Sequence, residues 1–191
     1  AQVAMLGAVA TVLMLFEFPI PFLAPPFYEL DFSEVPVLIG AFAMGPIAGI
    51  AIEAVKILLN FVLNGTITAG VGEIANFLVG CAFLLPAALV YRKKKTRKHA
   101  ILGMIAGTVV MTTVACVLNA WILLPAYGIA FGMPVETFVE MGTAINGAID
   151  SLFTFALLAV GPFNLLKGLL VSGIVLLLYK RIRVILRGDY S

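Results

Sequence analysis

The chain has 191 residues, of which 62% are hydrophobic and only 12% are charged, and its formal net charge is +2. A soluble domain of this length usually has about 25% charged residues, so the composition excludes a soluble globular protein and predicts an integral membrane protein. His99 is the only histidine, which excludes a histidine-based metal site or catalytic triad within this chain.

Two contrasting segments open the chain. Residues 1–16 carry no charge and lack the basic flank and cleavage site of a signal peptide, so we expect a helix there. Residues 18–32 contain four prolines within eight positions, from Pro19 to Pro26. Because proline removes a backbone donor and restricts the residue before it, this segment cannot be helical. It is predicted to be a stiff loop rich in aromatic side chains.

A pair of short helices is expected next, over about 33–44 and 46–64. The first part of this region is uncharged, but the dipeptide Gly45-Pro46 interrupts it and is a strong helix breaker. Glu53 and Lys56 follow at a spacing of three residues. That spacing predicts a local, structural ion pair on the second helix.

Three further apolar segments follow. Residues 74–91 form one predicted span, which runs into a basic segment at 92–99. Residues 100–124 are uncharged and long enough to cross a hydrocarbon core of about 30 Å. The last apolar run, at 161–179, is followed by further Lys and Arg residues, and the intervening segment 126–160 mixes apolar and acidic residues.

The distribution of positive charge orients these helices. Of twelve Lys and Arg residues, six lie between Arg92 and Lys98 and four lie after Tyr179, so both basic segments are expected in the cytoplasm. The segment 126–160 then cannot add a complete crossing and is predicted to cap the outer face. Counting membrane crossings back from these cytoplasmic segments predicts six transmembrane helices, with the N- and C-termini in the cytoplasm. The whole chain is then a single all-α domain of a polytopic membrane protein. On this count, loop 18–32 would be a lid on the outer side. The alternative is a single kinked helix in place of the two short helices, which would give five crossings.

Asn164 and Lys167 form a polar patch in the last apolar run. An ionisable side chain in a membrane span costs about 2.5 to 3.5 kcal/mol, so it persists where it pairs with a partner or a ligand. The two residues share a helix face, and the predicted topology places them under the lid and the cap. Irregular backbone at membrane depth is tolerated where it lines a buried cavity. A small-molecule pocket open to the outside is therefore predicted.

Ten residues are candidates to line this pocket. They combine amides, acids, a lysine and aromatic rings: Phe27, Tyr28, Leu30, Asp31, Glu73, Asn76, Asn119, Tyr127, Asn164 and Lys167. Such groups suit a flat, hydrogen-bonding, poorly charged ligand, such as a heteroaromatic vitamin. Two structural alternatives stay open: Lys167 would pair with an acid such as Glu73 or Asp150, or the asparagines would form hydrogen bonds between helices.

Four segments of the chain match a known family in their order and spacing. They are FPIPFLAPPFYELDFSEVP, GVGEIANFLVG at 70–80, the basic RKKK turn, and VGPFNLLKG at 160–168. Together they resemble the riboflavin-binding S components of energy-coupling factor (ECF) transporters. The resemblance implies six membrane helices, riboflavin capture from outside beneath the proline-rich lid, and flavin-ring contacts at Asn164 and Lys167. It also implies a ligand contact from Asn119 in the fifth helix.

The resemblance implies partners as well. S components associate with a membrane T component and two cytoplasmic ATPases, and Ala4 and Ala8 match the small-residue face that contacts the T component. Gly103 and Gly107 have the same spacing, however, and close packing within one chain is the alternative explanation of such pairs. The chain has no phosphate-binding loop, so ATP hydrolysis must come from the partners. We expect a multi-pass protein of the prokaryotic plasma membrane, in contact with the lipid bilayer, with no cofactor, metal ion or nucleic acid.

Two other functions remain as alternatives. One is an S component for a different vitamin, of the thiamine or pyridoxine type. The other is a membrane enzyme that uses an acidic side chain as acid or base, with candidates Glu73, Glu136, Glu140 and Asp150. Substitution of Lys167 by alanine is expected to weaken ligand binding without unfolding the protein, because the ligand and not a core acid would be its partner.

Overall fold

A computed structural model describes residues 1–66 and 70–187. Residues 67–69, in the polar segment between α3 and α4, lie outside the described residues. The α-helices are α1 Gln2–Met14, α2 Glu34–Met44, α3 Pro46–Asn64, α4 Val71–Lys93, α5 Arg97–Leu118, α6 Leu124–Phe131, α7 Val135–Ile145, α8 Leu152–Phe155 and α9 Gly161–Arg187. Two π-helical segments, π1 Asn119–Leu123 and π2 Ala156–Val160, and two short strands, β1 Phe18–Pro19 and β2 Glu29–Leu30, complete the described secondary structure. The predicted helical class is confirmed, with the strands as a small addition.

Within the described residues, four helical stretches are long and apolar enough to cross a membrane: Pro46–Asn64, Val71–Lys93, Arg97–Phe131 and Leu152–Tyr179. Two further apolar helices, α1 and α2, are shorter, with 13 and 11 residues. The chain breaks between α2 and α3 at Gly45, where φ is 99°. Glycine adopts this conformation without the strain that a side chain would cause. The predicted pair of short helices is therefore confirmed to within one residue.

Glycines allow close contacts between neighbouring helices. A Cβ atom added at Gly103 of α5 would lie 2.6 Å from the carbonyl oxygen of Ala87 in α4, and one added at Gly107 would collide with the next turn of α4. This confirms packing within the chain as the reason for that pair. Ala4 and Ala8 differ, because both are exposed on α1 while the opposite face of that helix packs on α3.

Three charged side chains form a cluster inside the helices. Lys56 Nζ lies 2.8 Å from Glu34 Oε1 and 2.7 Å from Glu53 Oε1, and none of the three side chains is more than 2% exposed. The predicted Glu53–Lys56 pair is confirmed, and Glu34 from the start of α2 joins it. Because an unpaired charge at this depth is costly, Lys56 and the two acids permit one another's burial through these ion pairs. The cluster ties α2 to α3 directly after the lid.

Two long helices continue through prolines, a residue type that usually ends or kinks a helix. The N–H of Leu124 donates to the carbonyl of Asn119, and that of Gly161 donates to the carbonyl of Ala156, each five residues back. Pro125 and Pro162 follow at once. This π-helical spacing accommodates the missing N–H and the ring of each proline, so neither helix stops.

The predicted outer cap at 126–160 is consequently shorter than expected. Its first residues belong to α6, which extends the fifth long helix to Phe131, and its last residues belong to α8 and π2, which begin the final long helix at Leu152. Only α7 and its flanking loops lie between them. α7 is amphipathic, with Phe138 and Gly142 on its buried face.

Candidate ligand-binding site

The lid segment folds back on itself as a short hairpin in which β1 and β2 pair antiparallel. Successive side chains in a strand point to opposite sides. Glu29 therefore faces the cavity described below, whereas Leu30 is fully buried against Ile20 and Phe163. Leu30 was predicted to contact the ligand, but it is not among the lining residues, because strand alternation turns it into the apolar core of the lid.

A cavity of about 270 Å³ lies beneath the lid, close to the lower end of the range of about 300 to 1,000 Å³ for small-molecule pockets. Nine of the ten predicted site residues line it: Phe27, Tyr28, Asp31, Glu73, Asn76, Asn119, Tyr127, Asn164 and Lys167. They come from the lid and from four helical regions of the chain. The fold thus brings polar side chains from distant segments to one place.

Lys167 and Asp31 form an ion pair in the cavity wall. Lys167 Nζ lies 2.8 Å from Asp31 Oδ2, and Asp31 Oδ1 accepts a hydrogen bond of 2.7 Å from the backbone N–H of Ser33. The Lys167 side chain is 12% exposed, against 2% for Asp31. The Lys167 side chain is therefore the more accessible member of the pair.

The acid beside Lys167 is neither of the two that the structural alternative named. Glu73 lines the same cavity but is not the ion-pair partner, and Asp150 is exposed in the loop before α8. Asp31 occupies the position because the end of the lid descends between the helices to reach α9. Its separation from Lys167 by 136 positions in the chain left no local signal for the pair.

Two buried asparagines bring amide groups to the cavity. Asn119 accepts a hydrogen bond from the Tyr28 hydroxyl and donates through Nδ2 to the Ala115 carbonyl at 2.8 Å. Asn164 donates to the Val160 carbonyl at 2.9 Å. Both amide nitrogens thus bond within their own helix, and the oxygen of Asn119 connects its helix to the lid. Asn119 is also the first residue of π1, and π-helical turns are frequent at functional sites.

Two acidic side chains that were not predicted also line the cavity. Glu17 follows α1 and Glu29 lies in β2, on the two sides of the lid hairpin. Partial burial, followed by repulsion from Glu29 and Asp31, raises the pKa of Glu17 to about 7. Together with Glu73, the cavity has four acidic side chains and one lysine. Its electrostatic potential therefore disfavours a strongly anionic ligand.

The other lining residues that the sequence did not indicate are mostly small or apolar. They are Met14, Asn60, Gly72, Ala75, Val79, Ala115, Leu123 and Phe163. Such residues resemble the rest of a membrane helix, so only their position in the fold identifies them. Asn60 carried a usable signal, since it is an amide near the C-terminal end of α3.

A polar cavity held among apolar spanning helices, beneath a structured lid, defines a membrane protein that binds a small molecule. The family model for the substrate-specific component of ECF transporters matches residues 1–179. The chain belongs to this family. It is therefore a transporter component and not an enzyme, and the acid–base alternative at Glu73, Glu136, Glu140 or Asp150 is wrong.

Named relatives and a solved structure support the assignment along the whole chain. Riboflavin transporter RibU of Staphylococcus aureus (strain TCH60) is 40% identical over 180 residues, which cover 94% of this chain and 87% of that protein. Riboflavin transporter FmnP of Bacillus subtilis (strain 168) is 34% identical over 182 residues, covering 95% and 90%. A solved S component of a bacterial ECF transporter superposes with a TM-score of 0.76 at 39% identity, covering 97% of this chain and 95% of that one.

Proposed function

We propose that this protein captures riboflavin from the outer side of the cell membrane and delivers it to an ECF transporter for ATP-driven uptake. The observation that carries the proposal is the composition of the cavity. Amide, ammonium and aromatic groups that suit a flavin converge from separate parts of the chain on one open cavity. The names of the relatives in S. aureus and B. subtilis agree with this ligand.

The chemistry of riboflavin matches the two parts of the cavity. Its ring system has carbonyl oxygens, ring nitrogens and an N–H on one edge, and Lys167, Asn164 and Asn119 supply the complementary donors and acceptors. The rings of Tyr28 and Tyr127 offer faces for stacking. Its sugar-alcohol chain carries hydroxyl groups without charge. These hydroxyls would donate hydrogen bonds to the carboxylates in the outer part of the cavity.

The proposed topology has six crossings with both termini in the cytoplasm. The four long apolar stretches and the shorter helices α1 and α2 would supply them. The lid and α7 would then lie on the outer side with the ligand cavity, and the basic end of α4 would lie in the cytoplasm.

Uptake would also need the partners that the family implies. A membrane T component and two cytoplasmic ATPases would complete the transporter. The exposed Ala4 and Ala8 on α1 would form part of the contact with the T component, because small residues let another helix approach closely.

A ligand titration tests the proposal directly. Purified protein in detergent is titrated against riboflavin, and we expect saturable quenching of riboflavin fluorescence with one site per chain. Excess thiamine or pyridoxine should not displace the flavin. A folded sample that fails to quench the flavin, or that releases it to either competitor, would show that the ligand has been misidentified.

A further inference from the structure

A second cavity lies at the other end of α4 from the ligand cavity and has a volume of about 350 Å³. The ligand cavity contacts α4 at Glu73, whereas the second cavity contacts it at Arg92. At 1.5 Å per residue, these two positions are roughly 28 Å apart along the helix. The second cavity is therefore at the opposite membrane boundary, which we place on the cytoplasmic side.

The floor and part of the rim of this second cavity are apolar. Phe42 and Tyr91 form the floor, with ring centroids 4.5 Å apart, and both are almost fully buried. The junction between α2 and α3 forms one wall, where the apolar side chain of Ile47 is 82% exposed. An apolar side chain so exposed at the end of a membrane helix is suited to contact with lipid.

The charge in the second cavity is entirely positive. Arg92 and Lys95 are its only charged lining residues, and both are exposed. Across residues 1–66 and 70–187, neither forms a salt bridge with an acidic side chain. Two unbalanced cations beside an apolar floor are complementary to a molecule that has an anionic group and an apolar body.

We propose that this cavity binds the phosphate group of an anionic phospholipid. Arg92 would hold the phosphate through its planar fork of donors, and Lys95 would add a second positive charge. The exposed side chain of Ile47 would contact the glycerol and upper acyl region. A soluble phosphate would leave that apolar contact unused. Anionic lipids are also concentrated near basic segments at the cytoplasmic leaflet.

The test compares lipid retention by variants of the full chain. Protein in detergent is incubated with phosphatidylglycerol or with phosphatidylcholine of the same acyl chains, and bound lipid is counted by native mass spectrometry. The double variant Arg92→Gln/Lys95→Gln is expected to lose about 10- to 30-fold in affinity for phosphatidylglycerol. The control Lys94→Gln/Lys98→Gln removes the same charge from the same basic segment outside the cavity and should retain the lipid.

Ala43→Phe provides a second variant, which fills the cavity while keeping every charge. We expect it to lose phosphatidylglycerol as the double variant does. Riboflavin binding should be unchanged in the double variant, because its substitutions lie at the far end of α4; this keeps the lipid proposal separate from the proposed function.

Several results would overturn the lipid proposal. Equal loss in the control variant would indicate a general effect of charge, and equal binding of phosphatidylcholine would remove the role of the anionic group. Glycerol 3-phosphate that displaces the lipid at similar concentration would indicate a site for soluble phosphates. Loss of T-component co-purification in the double variant, with lipid retention unchanged, would identify the surface as a protein interface.

Discussion

Lys56 and Lys167 are both enclosed by the helices, but their surroundings differ. Lys56 is fully buried, contacts Glu34 and Glu53, and is not among the residues that line the ligand cavity. Lys167 contacts Asp31 and keeps 12% of its side chain exposed in the wall of the ligand cavity. A lysine in a membrane helix thus serves structure where it is fully buried against acids, and it is available for binding where part of its side chain is exposed in a cavity.

The comparison also separates the sources of affinity and stability. The Lys56 cluster joins α2 to α3, so its loss should act first on folding. The Lys167 pair lies between the lid and α9, so its loss should act first on the ligand. Four predictions test this division, in order of decreasing effect.

The largest effect is expected for Lys56→Met. The substitution leaves Glu34 and Glu53 buried without a counter-charge, which costs about 3 to 5 kcal/mol of folding free energy. Thermal unfolding in detergent should show a strongly destabilised protein, or none that folds. The triple variant Lys56→Met/Glu34→Gln/Glu53→Gln removes the uncompensated acids and should recover much of the stability. A single variant as stable as the parent would refute the structural role of the cluster.

Lys167→Met should mainly weaken binding. A hydrogen bond to a charged group contributes about 1.5 to 3 kcal/mol, which corresponds to about 10- to 100-fold in riboflavin affinity. Some stability is also lost, because Asp31 is left buried, although the Ser33 N–H still bonds to it. The ion pair with Asp31 thus corrects the expectation that the ligand, and not a core acid, is the partner of Lys167.

The control for Lys167 is the double variant Lys167→Met/Asp31→Asn, which removes both charges. It should unfold at nearly the parent temperature and still bind riboflavin weakly. Full recovery of affinity in the double variant would mean that Lys167 acts only by neutralising Asp31 and does not contact the ligand.

Tyr28→Phe should have a smaller effect on binding kinetics. The variant loses the hydrogen bond between the lid and Asn119, which is typically worth about 0.5 to 1.5 kcal/mol. We expect riboflavin to dissociate about 2- to 10-fold faster in a stopped-flow chase, with association nearly unchanged. Tyr91→Phe removes the equivalent hydroxyl near the opposite end of α4 and should leave both rates as they are. Similar acceleration in both variants would argue against a lid contact.

The smallest effect concerns the pH dependence of stability through Glu17. Its pKa in the folded protein is raised from 4.5 to about 7, so the folded state holds a proton that the unfolded state releases. The stabilisation is present below about pH 4.5 and is lost as the pH rises through about 7. Glu17→Gln should therefore show a flatter decline in unfolding temperature between pH 5 and pH 8. Identical pH profiles for parent and variant would contradict this assignment.

Features marked by local sequence signals were predicted well. Gly45-Pro46 separates α2 from α3 as expected. Two adjacent residues are enough to determine this break, because glycine adopts a positive φ easily and proline is favoured at the start of a helix. Asn164 and Lys167 were also found as one patch, since helical spacing alone places them on one face. The candidate site was recognisable for the same reason.

Features that depend on tertiary structure were not predictable in the same way. Pro125 and Pro162 indicate helix ends by their chemistry, yet the π-helical turns before them let both helices continue. The direction of Leu30 depends on a strand only two residues long. The partner of Lys167 depends on how deep the lid descends, which no local pattern encodes.

The length of α2 has a consequence for transport distance. Its 11 residues rise only about 16 Å, roughly half of a hydrocarbon core of about 30 Å. On the proposed six-helix topology, the descending lid makes up the rest of that crossing, and Asp31 at its inner end lies well below the outer membrane surface. On that topology, a riboflavin molecule beside Asp31 would already have passed through part of the bilayer thickness. The proposed ATP-driven step would then move its cargo over the shorter remaining path.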